Sequence, residues 1–102
     1  MGYQSPLLRE LIGAELRHAR VSQGLSLRDL AAATNISLGY LSEIERGLKE
    51  PSSEFVLVVL RELHLTLSGL LSRVSTRAQL ADAAWPLVAL VPESAEVTEI
   101  AA

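Results

Sequence analysis

Between Thr34 and Glu54 the chain reads TNISLGYLSEIERGLKEPSSE, and its side chains suit docking rather than bond-making. The rhythm predicts a short turn followed by a helix. Near the helix start the outward side chains are Ser37, Leu38 and Gly39, with Glu43 one turn later. A hydroxyl, an alkyl group, a bare backbone and a carboxylate can hydrogen-bond, touch a methyl group, permit close approach and accept from an amino group. Reaction chemistry has no comparable set. The sequence holds no clustered nucleophile and base, no glycine-rich phosphate loop and no metal-ligand group. Cysteine is absent, which excludes disulfides and thiolate metal sites. The two histidines, His18 and His64, stand apart and read as surface or boundary residues. No enzymatic activity, cofactor or metal is expected.

A net charge of −3 taken as a sum opposes a polyanionic partner, but its distribution matters more. Residues 1–75 carry eight basic and eight acidic side chains. After them Arg77 stands against Asp82, Glu93, Glu96 and Glu99, which accounts for the whole −3. Within residues 17–49 the balance is five basic to three acidic. The acidity lies in the tail. No apolar run approaches the ~18 residues of a membrane span, and the first residues show no signal-peptide core. A cytoplasmic protein without a membrane partner is the expectation.

The elements that must position the docking residues are helices. In 102 residues, 49% are hydrophobic and only four are aromatic, with Leu and Ala dominant, a composition suited to helices rather than sheets. Ser5-Pro6 opens a first helix, on which Leu8, Ile12, Leu16 and Ala19 recur at helical spacing and Gly24 supplies a left-handed cap. Ser26 caps a second helix, with Asp29 returning the hydrogen bond, and Asn35 takes the left-handed position of the turn. Ser37 caps the third helix, whose Tyr40, Leu41 and Ile44 face inward, and Gly47 ends it. Ser52 or Ser53 caps a fourth, apolar nearly all round and therefore expected at the centre. Thr66 caps a fifth. Ser75 or Thr76 is read as the start of a sixth, through Trp85.

Two short helices joined by a three-residue turn have the spacing of a helix-turn-helix. Residues 16–71, with SLRDLAAA, ISLGYLSEIERG and PSSE in place, resemble the Cro/CI-type (XRE) family of helix-turn-helix regulators. The longer SLGYLSEIERGLKEPSSE is similar to its actinobacterial branch of Clp gene regulators. Asn35 stands where the family usually has Gly, and Leu27 where it often has Gln, leaving Arg28 as the replacement phosphate donor. The resemblance implies an all-α, five-helix Cro/CI-repressor-like DNA-binding domain over residues 5–73, followed by a C-terminal helical extension. It also implies a transcription regulator, here an activator of Clp protease genes.

Family geometry puts the third helix in the major groove of double-stranded DNA, so that Ser37, Leu38, Gly39, Ser42 and Glu43 face the bases. Leu38 then meets a thymine methyl, Gly39 admits the backbone closely, and Glu43 accepts from a cytosine amino group or remains a solvated surface charge. Phosphate contacts fall to Arg28, Arg46 and Lys49, and to Tyr40 unless its ring belongs to the core. Arg20 and Glu45 match positions that pair as a buried structural ion pair. A homodimer follows from the resemblance, and the apolar surplus beyond the five-helix core, Leu70, Leu71, Val74, Leu80, Ala84, Trp85 and Leu87, is read as its interface. The alternative for Trp85 is packing on its own domain. Residues 74–91 are thus read as a dimerisation extension and 92–102 as a disordered acidic tail. That tail, ending in Ala101 and Ala102, is either a handle for a Clp-type protease or a frayed end. The competing reading is a protein-interaction helix-turn-helix, such as an antitoxin whose tail wraps a toxin.

Overall fold

A computed structural model describes residues 6–83 as five helices: α1 (Leu8–Ser22), α2 (Leu27–Thr34), α3 (Leu38–Glu45), α4 (Ser53–Glu62) and α5 (Leu67–Ala83). Helix α1 packs on α3 and α5, and α2 packs on α3 and α4. The shared core is aliphatic, with Leu16, Leu30, Leu41, Ile44, Val59 and Leu63 almost wholly inaccessible. Each such side chain contributes roughly 1.5–3 kcal/mol by leaving water. No single helix among the described residues is long and apolar enough to cross a membrane.

Local chemistry explains the starts and stops. Ser26 Oγ accepts from the Asp29 N–H while the Asp29 carboxylate accepts from the Ser26 N–H, a reciprocal cap at α2. Ser37 and Ser52 each accept from a backbone N–H three residues on, and Thr66 does the same at α5. Asn35 ends α2 at φ 58°. Helices α1, α3 and α4 end alike, on a left-handed residue whose successor donates back to the previous turn. That residue is Gly24, Gly47 and, unforeseen, His64 at φ 57°. The exposed His64 therefore serves the chain through its backbone.

Several expectations are corrected. Ser5 lies outside the described residues, and α1 is capped at Leu7, whose N–H donates to the Glu10 carboxylate at 2.7 Å. Leu8, placed on the inner stripe, is 60% exposed: it sits in the first turn on the wall of an open cleft, outside the buried core. Helix α4 is central on one side only, since Leu57 and Val58 face outward. No sixth helix begins at Ser75 or Thr76. The Thr76 hydroxyl donates back to the Ser72 carbonyl at 3.2 Å, and α5 runs unbroken through the expected domain junction at residues 73 and 74. Leu70 and Val74, assigned to a dimer interface, are buried in the core of their own domain, where α5 crosses α1. Leu71 and Leu80 remain exposed, Leu80 at 72%. Ala84, Trp85, Leu87 and the tail with Ala101 and Ala102 lie outside the described residues.

Candidate nucleic-acid interface

The turn and the caps present α3 with its first residues outward. Ser37, Leu38 and Gly39 are exposed, while Ser42 and Glu43 are partly covered. A Cβ built on Gly39 would meet no atom within 4 Å. Neither packing nor a left-handed backbone requires glycine there, although Gly in a helix is worse than Ala by about 1 kcal/mol. Gly39 leaves the start of α3 bare enough for a surface to come close.

The opposite side of α3 is held rigidly. Gly13 of α1 sits against it, and a Cβ there would collide with the Ile44 carbonyl oxygen and stand 2.8 Å from that of Glu45. Beside this contact Arg20 grips Glu45 in a two-pronged ion pair, Nε to Oε2 at 2.7 Å and Nη2 to Oε1 at 2.9 Å. Its Nη1 donates to the Leu25 carbonyl at 2.7 Å. The bond to Glu45 raises the Arg20 pKa above the ordinary arginine value, against an opposing effect of burial. Charges so enclosed are held only as a pair, since losing one partner strands the other at ~3–5 kcal/mol.

The basic residues assigned to phosphates are spread around this helix. Arg28 is exposed on the first turn of α2, where the Asp29 carboxylate already occupies the helix start. Tyr40 packs its ring edge-on against Phe55, with centroids 5.1 Å apart, so the body of this side chain belongs to the core. The Arg46 Nε lies 3.3 Å from Ser42 Oγ, and the Lys49 Nζ lies 3.3 Å from Glu43 Oε1. Two expected base readers are therefore each joined to an expected phosphate contact. Among the described residues, no group of three or more His, Asp or Glu side chains is placed to hold a metal ion.

Three supports escaped the sequence. Arg9 Nε donates to the Gly47 carbonyl at 3.1 Å and its Nη1 reaches Glu50 at 3.0 Å, tying α1 to the loop after α3. Glu15 pairs with Arg77, fastening the second half of α5 to α1. The other Glu15 carboxylate oxygen is buried without a hydrogen-bond partner among the described residues. The signal for Glu15 was present: three residues after Ile12 and four before Ala19, it is an acid on the inward stripe. Gly13, a glycine inside a well-patterned helix, was the signal for the close approach.

Residues 16–70 match the helix-turn-helix family HTH_3. The chain is 54% identical over 65 residues to the transcriptional regulator ClgR of Mycobacterium tuberculosis, covering 64% of this chain and 58% of that protein. It is 41% identical over 59 residues to the HTH-type transcriptional regulator DdrOP3 of Deinococcus deserti, covering 58% of this chain and 46% of that one. The chain thus spans 58% or less of the length of these curated relatives. The crystal structure of the clp gene regulator ClgR from Corynebacterium glutamicum matches with a TM-score of 0.74 at 42% identity, covering 90% of this chain and 97% of that one. The restriction-modification controller protein C.Esp1396I, solved as a tetramer with its natural 35 base-pair operator, shares the fold. Its TM-score is 0.67 at 18% identity, over 72% of this chain and 97% of that one.

Proposed function

The chain belongs to the helix-turn-helix family HTH_3, and from that membership we propose that it is a sequence-specific transcription regulator that binds double-stranded DNA and controls clp genes. The observation that carries this reading is the outer side of α3. Its first turn offers Ser37, Leu38 and a glycine that the fold does not need, on a helix clamped from behind. Likeness to the ClgR proteins supplies the gene class. In this reading Ser37, Leu38, Gly39, Ser42 and Glu43 face base edges, while Arg28 and Arg46 contact phosphates. The protein acts by binding rather than by catalysis, in the cytoplasm, and as an activator of its target genes.

A two-fold dimer fits the same reading. An apolar cleft of about 340 Å³ opens between the start of α1, α4 and α5, with Leu8, Leu57, Leu67 and Leu71 on its walls. Two copies joined there would present two copies of α3 to successive turns of DNA. These walls all lie within residues 6–83, so a chain ending at Ala83, which keeps Arg77, is expected to sediment as a dimer like the full chain. A monomeric shortened chain would move the interface beyond Ala83.

The function itself is tested by selecting bound duplexes from a random pool at ~150 mM salt, where non-specific attraction is already weak. Enrichment of an inverted repeat is the expected result. Enrichment of nothing would refute the DNA reading and turn attention to a protein partner.

A further inference from the structure

Lys49 stands in the loop between α3 and α4, and that loop is held at both ends. Gly47 at φ +75° reverses the chain, its N–H bonding to the Ile44 carbonyl at 3.0 Å and the Leu48 N–H to the Glu43 carbonyl at 2.9 Å. Arg9 then pins the carbonyl of Gly47 and the carboxylate of Glu50. A Cβ at Gly47 would approach the Glu10 Cα to 2.9 Å, so α1 also blocks other residues there. The backbone before Lys49 is thereby fixed, Glu50 after it is tethered through its side chain, and the Lys49 ammonium comes to rest 3.3 Å from Glu43 Oε1.

We propose that Lys49 is a specificity-positioning residue: its ammonium holds the Glu43 carboxylate in the pose that reads a base, and it does not clamp a phosphate. The inference rests on the DNA-binding reading above. A lone carboxylate on a groove-facing helix is repelled by the phosphates, and its rotamers are unrestrained. Joined to Lys49 it becomes a neutral unit with one orientation. In water such an exposed pair is weak, because solvent screens both charges; 57% of the Lys49 side chain and 37% of the Glu43 side chain are accessible. Once DNA displaces that water, the attraction strengthens and the carboxylate keeps a free edge for a base amino group. A phosphate clamp has the opposite signature. It is sequence-blind, and each such cation steepens the salt dependence of binding by about 0.9 in logarithmic slope.

The experiment compares the full-length protein with Lys49→Met, Lys49→Arg, Glu43→Gln and the double variant Glu43→Gln/Lys49→Met. Each is selected against the random duplex pool and then titrated at several salt concentrations. All four changes lie on the surface, and circular dichroism checks that the helices persist. Lys49→Met is expected to lower the base preference at one position of the selected site on the order of ten-fold. Glu43→Gln flattens the same position, and Lys49→Arg keeps it. The double variant is no less selective than Glu43→Gln alone and keeps the wild-type salt slope, because a neutral pair has been removed. Overturning results are a uniform loss of affinity with base preference intact in Lys49→Met, or a salt slope reduced by about 0.9 in the double variant. A wild-type protein that enriches no sequence is a different failure, since it removes the DNA reading and this proposal with it.

Discussion

Two glycines inside helices, Gly13 and Gly39, mark the two sides of α3, and they are glycine for opposite reasons. At Gly13 there is no room for a Cβ, because carbonyl oxygens of α3 already occupy the place. At Gly39 there is nothing but room. The inner side of the helix is fixed by contacts the protein makes with itself, through Leu41, Ile44, Glu45 and the backbone pressed on Gly13. The outer side is left undetermined by the fold. In the DNA-binding reading, what occupies it answers to the partner. Glu45 and Glu43, two residues apart, repeat the contrast: one is enclosed by Arg20, the other half-open beside Lys49.

That contrast can be attacked from the inner side first. Arg20→Met strands the Glu45 carboxylate and is expected to cost ~3–5 kcal/mol of unfolding free energy. Adding Glu45→Met restores most of it, and chemical denaturation of both variants measures the difference. Gly13→Ala follows at about 3 kcal/mol, the upper end of overpacking, because its neighbours are backbone atoms that cannot rotate away. Gly39→Ala should carry the reverse sign, raising stability by about 1 kcal/mol while weakening binding to the selected duplex. If Gly39→Ala destabilised the free protein, the two glycines would not differ in kind.

The smallest effect is at the cap of α2. The hydrogen bonds from Ser26, its backbone N–H first, hold the Asp29 carboxyl below the usual carboxylate range. A depressed folded-state pKa gives stability that is present above the unfolded value, about 3.9, and lost as pH falls through the folded one. Asp29→Asn therefore lowers stability at neutral pH and flattens its fall in acid. Denaturation midpoints followed down through the carboxylate range check the sign.

What was legible in the sequence was local. The caps at Ser26 and Ser37, the left-handed Asn35 and the glycine stops are decided by atoms within a few residues, so residue type alone points to them. Leu41 and Ile44 followed from helical spacing. The misreading of α5 has a local cause too. A Ser-Thr pair signals a helix start, but in mid-helix Thr76 satisfies its hydroxyl on the preceding turn, and which option wins depends on whether the following residues have something to pack on. They do: Arg77 finds Glu15 across 62 residues, while Val74, just before the pair, already meets the core. Contacts at that separation leave only an incongruous acid or glycine as a trace. Of the docking residues, the exposure of Ser37, Leu38 and Gly39 was legible, but the joining of Glu43 to Lys49 was not, because it depends on the course of the loop after Gly47.

The ion pair between Arg77 and Glu15 has a mechanical consequence. Helix α5 is about 25 Å long at 1.5 Å per residue, and Arg77 bolts its second half to α1 two residues from Gly13. At Gly13 no side chain cushions α1 from α3. The second half of α5 and the outward helix are thus linked through α1 by one ion pair and one backbone-tight contact, set two residues apart on α1.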